Sequence, residues 1–392
     1  MNAQNHDAKD ARQPIDEHDQ HPDQHGRPQP RLEKYFKAMI KAGASDLHLK
    51  PSAVPHIRVR SVVRPTQADP LSANEIADLA DEVMTVKQKA FFDEHGSIDV
   101  AHELPNSDRF RINIYRQRGN VAIACRRVSR EIPNFESLHL PESLAKICQE
   151  SQGLVLLSGA TGSGKSTTIG SMLEYINRTR ACHIVTIEDP IEYLFVDKKA
   201  IISQREIGID VEDFDMALKY LMREDPDVVL IGEMRDHETF QAALQASETG
   251  HLVFGTVHAS SAAQTVGRIL DLIGAENREI VRQSLAFNLK GIVCQKLLPS
   301  IANGVDRVPA VEVMLSNPSV RSLIEDGRET ELPDIIRSHE RDGMQSFTRS
   351  LLDLIESEFV DPRVAYEVAP NVDELKMLMK GISSGGRGLI GR

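Results

Sequence analysis

Gly159-Ala160-Thr161-Gly162-Ser163-Gly164-Lys165-Ser166-Thr167 is the stretch on which the reading of this chain turns. It satisfies G-x-x-x-x-G-K-[ST] at each fixed position. An apolar run at 154–157 leads into it as a strand, and Met172, Leu173 and Ile176 recur at helical spacing beyond it. A strand, a glycine loop and a helix in that order let backbone N–H groups converge on phosphate oxygens, with the helix dipole adding to the attraction. In such a loop Lys165 reaches the β- and γ-phosphates of ATP, and the Ser166 hydroxyl ligates Mg²⁺. A chance glycine-rich turn would lack both flanks.

Working outward, three more apolar runs end in polar residues. Residues 183–187 run into Glu188-Asp189-Pro190-Ile191-Glu192, residues 228–231 into Gly232-Glu233, and residues 252–257 into His258. Ligands of open α/β sheets gather at the carboxyl ends of strands. The phosphate loop, the carboxylates and His258 are therefore expected to converge on one nucleotide. Phosphoryl transfer needs a metal against the β/γ oxygens and a group that orients the attacking water. Glu233 follows an apolar strand as a Walker B acid does, which assigns it to Mg²⁺, with Asp189 as a second metal-side carboxylate. Glu192 is the candidate to activate water, and the roles of Glu192 and Glu233 are exchangeable at this level. Glu188 and Asp189 could equally cap a helix or pair with an arginine. His258 could report the γ-phosphate. His251 lies at the opposite end of its strand, where a structural role or a subunit contact is expected.

The rest of the chain organises around this core. Residues 1–30 are polar and carry His6, His18, His21 and His25. They read as a solvated, disordered tail rather than a metal site. Residues 31–130 read as an α+β domain. It holds a helix at 32–42 ending at Gly43, strands at 47–49 and 57–62, and a helix capped by Ser72 with Glu75 three residues on. A hairpin follows, turning at Gly119-Asn120. Its arginines (Arg109, Arg111, Arg116, Arg118, Arg126 and Arg127) are a solvated face, a nucleic-acid patch or an arginine finger that neutralises transition-state charge on a nucleotide. Residues 131–140 read as a linker, 141–300 as a parallel α/β sheet, 301–382 as a mostly helical region, and 383–392 as a loose glycine-rich tail.

The balance of 46 basic against 58 acidic residues, net −12, argues against a sequence-independent nucleic-acid binder. Cys125, Cys148, Cys182 and Cys294 show no paired metal-ligand spacing. No apolar run approaches the roughly 18 residues of a membrane span, and the first thirty residues hold no signal-peptide core. A cytoplasmic protein that meets membranes only through partners is expected.

GATGSGKST, TIEDPIEY, QREIG, REDPDVVLIGEMRD, ETGHLVFGTVHA and GASDLHL together resemble the type II/type IV secretion ATPase superfamily. The resemblance extends over about residues 32–382 and is closest to the pilus retraction, or twitching-motility, ATPases of the PilT/PilU kind. It implies a PAS-like N-terminal domain, a RecA-like ATPase domain and a hexameric ring at the base of a pilus machine. It further implies work on an inner-membrane platform protein, with a paralogous retraction ATPase as a further partner. Residues 159–167 match the family's Walker A, 188–192 its Asp box, Gly232-Glu233 the end of Walker B, and His251 and His258 its His box. Arg109, Arg111 and Arg116 match arginines that reach the nucleotide. The four-cysteine metal site of assembly and secretion members is missing, which favours retraction; assembly, type II secretion and DNA-uptake rings are the alternatives. The C-terminal retraction motif is matched at Arg321, Leu323, Ile324 and Gly327, with Glu325 where a basic residue stands in the family.

Overall fold

A computed structural model describes residues 30–381 apart from 61, 106 and 275. The tails read from the sequence at 1–30 and 383–392, with their histidines and glycines, lie outside the described residues except for Pro30.

The N-terminal unit is built on a six-stranded antiparallel sheet. Its strands are β1 (Asp46–Leu49), β2 (His56–Val59), β3 (Val62–Pro65), β4 (Ser97–Glu103), β5 (Arg109–Gln117) and β6 (Asn120–Val128), in the order β3-β2-β1-β6-β5-β4. Along β5, Phe110, Ile112 and Ile114 are fully buried, while Arg109, Arg111 and Asn113, which alternate with them, lie half-buried on the other face. This is the alternation of a half-buried strand. Phe36 stacks on Phe110 with ring centroids 4.1 Å apart and pins helix Glu33–Ala42 to that face. Ser72 caps helix Ala73–Val83 in a reciprocal capping box with Glu75.

Two sequence expectations shift here. The single strand expected at 57–62 is two strands, because Arg60 takes a left-handed φ of 48° and turns the chain. The hairpin turns on Arg118 and Gly119, both at positive φ, and Asn120 already belongs to β6. Paired left-handed residues match the strand twist of a two-residue hairpin.

The second unit carries a seven-stranded sheet: β7 (Gly153–Ser158), β8 (His183–Glu188), β9 (Ile201–Glu206), β10 (Val228–Ile231), β11 (Leu252–Val257), β12 (Leu289–Pro299) and β13 (Arg307–Leu315). The order is β13-β12-β7-β11-β10-β8-β9, all parallel except β13. β7, β10 and β11 are buried throughout, as expected of central parallel strands covered by helices on both faces. Leu154, Leu156, Val229 and Val253 face one apolar core, and Val155, Leu157, Val228 and Phe254 face the other. The sheet does not stop at residue 300. β13 lies beyond that expected boundary and pairs with β12 from Arg307 to Leu315, so the C-terminal region opens with an edge strand of the same sheet before it turns helical. Among the described residues no helix is long and apolar enough to cross a membrane.

Candidate functional site: a phosphate-loop cleft

The carboxyl ends of β7, β8, β10 and β11 open on one cleft of about 740 Å³, within the size range of small-ligand sites. β7 delivers the glycine loop, and helix Lys165–Thr179 leaves it with Gly164 as the residue before its first turn. Lys165 is buried, and its Nζ donates to the carbonyls of Gly159 at 2.7 Å and Ala160 at 3.2 Å. Burial pulls its pKa below the ordinary lysine value, and the charge of Glu233 opposes that shift. Thr161 to Thr167 line the cleft, and Gly159 and Ala160 form the turn beneath Lys165.

β8 ends at Glu188, and the chain then passes Asp189, a cis peptide to Pro190, Ile191 and Glu192. Asp189 and Glu192 are exposed at the cleft, whereas Glu188 is buried beneath them. Thr186 Oγ1 donates to Glu188 Oε1 at 2.7 Å, Gln204 Nε2 donates to the same oxygen at 3.3 Å, and the Glu192 amide approaches Oε2 at 3.4 Å. Gln204 also donates to the Tyr193 carbonyl at 2.9 Å. Glu188 therefore braces the loop that presents Glu192. Burial pushes the Glu188 carboxyl up to about 7, against the pull of those hydrogen bonds.

β10 ends in Gly232-Glu233. A Cβ on Gly232 would meet the Ile187 carbonyl oxygen at 3.1 Å and Glu188 Cα at 3.3 Å, so a side chain there would crowd the backbone of β8 and glycine lets the chain turn tightly against it. Thr256 Oγ1 donates to the Gly232 carbonyl at 2.6 Å and ties this turn to β11. Glu233 lies 2.5 Å from Arg235 Nη2 and 3.1 Å from His258 Nε2. The hydrogen bond from Arg235 comes first among the causes that hold the Glu233 carboxyl below its ordinary value; the charges of Arg235 and His258 act the same way. Ser158, the last residue of β7, accepts from the Ala259 amide at 3.1 Å and donates to the Ala259 carbonyl at 3.0 Å. The strand that feeds the phosphate loop and the loop bearing His258 are thus stitched together.

The structure brings Lys165, Ser166, Asp189, Glu192, Glu233 and His258 to one cleft, as expected from strand ends. It does not bring Arg109, Arg111 or Arg116 there. Arg109 and Arg111 face Glu206 at the end of β9, at 3.5 Å and 3.9 Å, and Arg116 pairs with Asp93 at 3.1 Å within the N-terminal unit. The arginines that border the cleft are Arg126, Arg235 and Arg307. His251 sits at the amino end of β11, its Nδ1 2.9 Å from the Ala246 carbonyl, away from the cleft as expected. Two further residues belong to the site: Tyr193, whose hydroxyl lies 3.0 Å from Thr167 Oγ1, and Gln295, buried behind the loop. A glutamine within the apolar run of β12 was the available signal, since a buried amide needs partners.

A parallel sheet of this order, with a phosphate loop after β7 and acids at the ends of β8 and β10, defines a RecA-like P-loop nucleotide-binding protein. The model of the type II/IV secretion system protein family matches residues 23–326, and the chain belongs to that family. It is 40% identical over 329 residues to the type IV pilus retractation ATPase PilT of Pseudomonas aeruginosa, covering 84% of this chain and 95% of that one. It is 36% identical to the type IV pilus ATPase PilU of the same organism, covering 89% and 91%. A crystal structure of the pilus retraction motor PilT with bound ADP matches with a TM-score of 0.80 and 41% identity, covering 88% of this chain and 98% of that one.

Proposed function

We propose that this protein is a motor ATPase that hydrolyses MgATP to drive type IV pilus retraction. The observation that carries this reading is the meeting of Lys165, Glu192, Glu233 and His258 in one cleft, in a chain 40% identical to PilT over most of both lengths.

The residues at the cleft fit Mg²⁺. The Ser166 hydroxyl and the carboxylates of Glu233 and Asp189 are hard oxygen donors beside the phosphate loop, and Arg235 and His258 favour the ionised form of Glu233. Among the described residues no group of three or more His, Cys, Asp or Glu could hold a metal by itself. When bound, Mg²⁺ neutralises charge developing on the β/γ oxygens.

In this mechanism Lys165 and the loop amides hold the phosphates in line. Glu192 orients the attacking water and takes its proton. Glu233 holds the metal side of the site, and His258, hydrogen-bonded to Glu233, registers whether the γ-phosphate is present. Arg109, Arg111 and Arg116 reach the nucleotide only after a domain movement, because Glu206 and Asp93 hold them away from the cleft.

The active form is a homo-hexamer at the inner face of the cytoplasmic membrane, bound there through a platform protein and working with a paralogous retraction ATPase. Its functional units are residues 31–130, the linker at 131–140, the ATPase core from 141 and the C-terminal region up to 382. The test is Lys165→Ala. It abolishes ATP turnover by the purified protein and leaves non-retracting pili on cells, with the fold intact by circular dichroism. Turnover at the wild-type rate in that variant rejects the reading.

A further inference from the structure

Gln295 sits near the middle of β12, 4% exposed, directly behind the phosphate loop. Its Nε2 donates to the Ser163 carbonyl at 2.8 Å, and its Oε1 accepts from Thr168 Oγ1 at 2.7 Å. The amide can face only one way, because the Ser163 carbonyl oxygen accepts and cannot donate. Both ends of one buried side chain are therefore spent on the loop and on the first turn of the helix that follows it.

The consequence for phosphate binding is geometric. The C=O and N–H of a trans peptide point in opposite directions. Drawing the Ser163 carbonyl back onto Gln295 turns the Gly164 N–H of the same peptide away from β12, on the side where Gly164 lines the cleft. Gly164 stands at φ 91°, and a Cβ on it would meet Gln295 Nε2 at 2.6 Å. The close approach of loop and amide thus requires both the glycine and the glutamine. Thr168, the other partner, is buried in the first turn of helix Lys165–Thr179, one turn from the residues that meet the phosphates.

β12 is also the strand that joins this site to the C-terminal region. Next to Gln295, Lys296 Nζ donates to the Val368 carbonyl at 2.8 Å. Opposite Gln295 in the ladder, the Val311 amide donates to Ser350 Oγ at 2.9 Å.

We propose that Gln295 is a positioning residue for nucleotide binding, fastening the phosphate loop from behind so that its amides are aimed before the nucleotide arrives. The inference rests on the nucleotide-site reading above and assigns a role within it to a residue outside the motif. A loop that is already ordered loses less freedom on binding, so loss of the fastening appears as weaker nucleotide affinity.

The test measures ADP binding by the full chain, by calorimetry, at about pH 6 and about pH 8.5, as the ratio of each variant to wild type. Gln295→Leu removes the donor and acceptor together and lowers affinity by about tenfold at both pH values. Gln295→Glu has the same shape. Protonated, its O–H donates to the Ser163 carbonyl as the amide does; ionised, it sets a carboxylate against that carbonyl. A carboxyl in this buried place keeps its proton to higher pH than in water. Gln295→Glu therefore binds within about twofold of wild type at the lower pH and loses about tenfold at the higher one. A residue that merely fills space would leave Gln295→Leu close to wild type, since leucine occupies a similar volume without the two hydrogen bonds. Should Gln295→Leu fail to fold, Thr168→Val, which keeps the volume and removes one of the two bonds, decides: it lowers affinity a few-fold, and wild-type affinity in it overturns the proposal. Wild-type affinity in Gln295→Glu at both pH values, or an equal loss at both, overturns the proposal. Failure of the wild-type chain to bind ADP rejects the nucleotide reading itself and takes this inference with it.

Discussion

Arg109 of the N-terminal sheet lies 3.5 Å from Glu206 at the end of β9 in the ATPase sheet, and Arg111 reaches the same carboxylate at 3.9 Å. The carboxylate is 4% exposed, and its Oε2 accepts no hydrogen bond in the structure. Burial raises the Glu206 pKa, and the two arginines oppose that shift. This is a charge cluster between the two sheets in which the buried carboxylate is compensated by the two arginines. Removing one partner of such a pair costs more than the pair contributes, because the remaining charge is left uncompensated. Arg109→Ala is expected to destabilise the chain by about 2 kcal/mol, less than a fully buried pair would lose because Arg111 stays in place. Glu206→Gln in the same background should restore most of that loss. The measurement is a double-mutant cycle by urea unfolding. Additive single effects would mean that the two side chains are not coupled.

A second prediction separates the two acids whose roles were exchangeable at the sequence level. Glu192 is exposed at the cleft with its amide directed at Glu188, while Glu233 is held by Arg235 and His258. A carboxylate already held by a guanidinium and an imidazole is suited to a fixed electrostatic role, and an exposed carboxylate is suited to accept a proton from water. Glu192→Gln should lower kcat by about 10²–10⁴-fold and leave the KM for ATP nearly unchanged. Glu233→Gln should also weaken the dependence of turnover on Mg²⁺ concentration. Steady-state kinetics across a Mg²⁺ series reads both, and a reversal of the two patterns reverses the assignment.

The parts of this site visible in the sequence are those that local pattern controls. The phosphate loop is a contiguous motif between a strand and a helix, and Glu192, Glu233 and His258 lie at or just beyond the ends of short apolar runs whose length suits buried strands. Their convergence follows from the rule that ligands meet the carboxyl ends of parallel strands. What stayed hidden depends on contacts between distant segments. Gln295 is 132 residues from Ser163 and 127 from Thr168 along the chain. The pairing of Arg109 with Glu206 joins two domains. Nothing local to β5 distinguishes an arginine that faces solvent from one that faces a neighbouring sheet, since both alternate with buried residues in the same way. The edge strand β13 is faint in the sequence because Arg307-Val-Pro-Ala carries a proline, which is tolerated at a sheet edge but weakens the strand signal.

The remaining prediction concerns Glu188, whose carboxyl burial raises to about 7 against an ordinary value of 4.5. Because the folded-state pKa lies above the unfolded one, the native chain keeps a proton that the unfolded chain has already released between those two values. The stabilising contribution of that proton is fully present below about pH 4.5, declines as pH rises, and is gone above about pH 7. Glu188→Gln holds the neutral form at every pH, so its stability should not carry this decline. Urea midpoints of wild type and variant across about pH 5 to 8 should diverge in the variant's favour as pH rises, with the difference changing by at most about 3 kcal/mol over the window. The variant's amide also faces the Glu192 backbone N–H, donor against donor, so its turnover should fall even where its stability is the higher of the two. A pH-independent stability difference would show that Glu188 is ionised in the folded protein throughout, and would remove it as a neutral brace beneath the Glu192 loop.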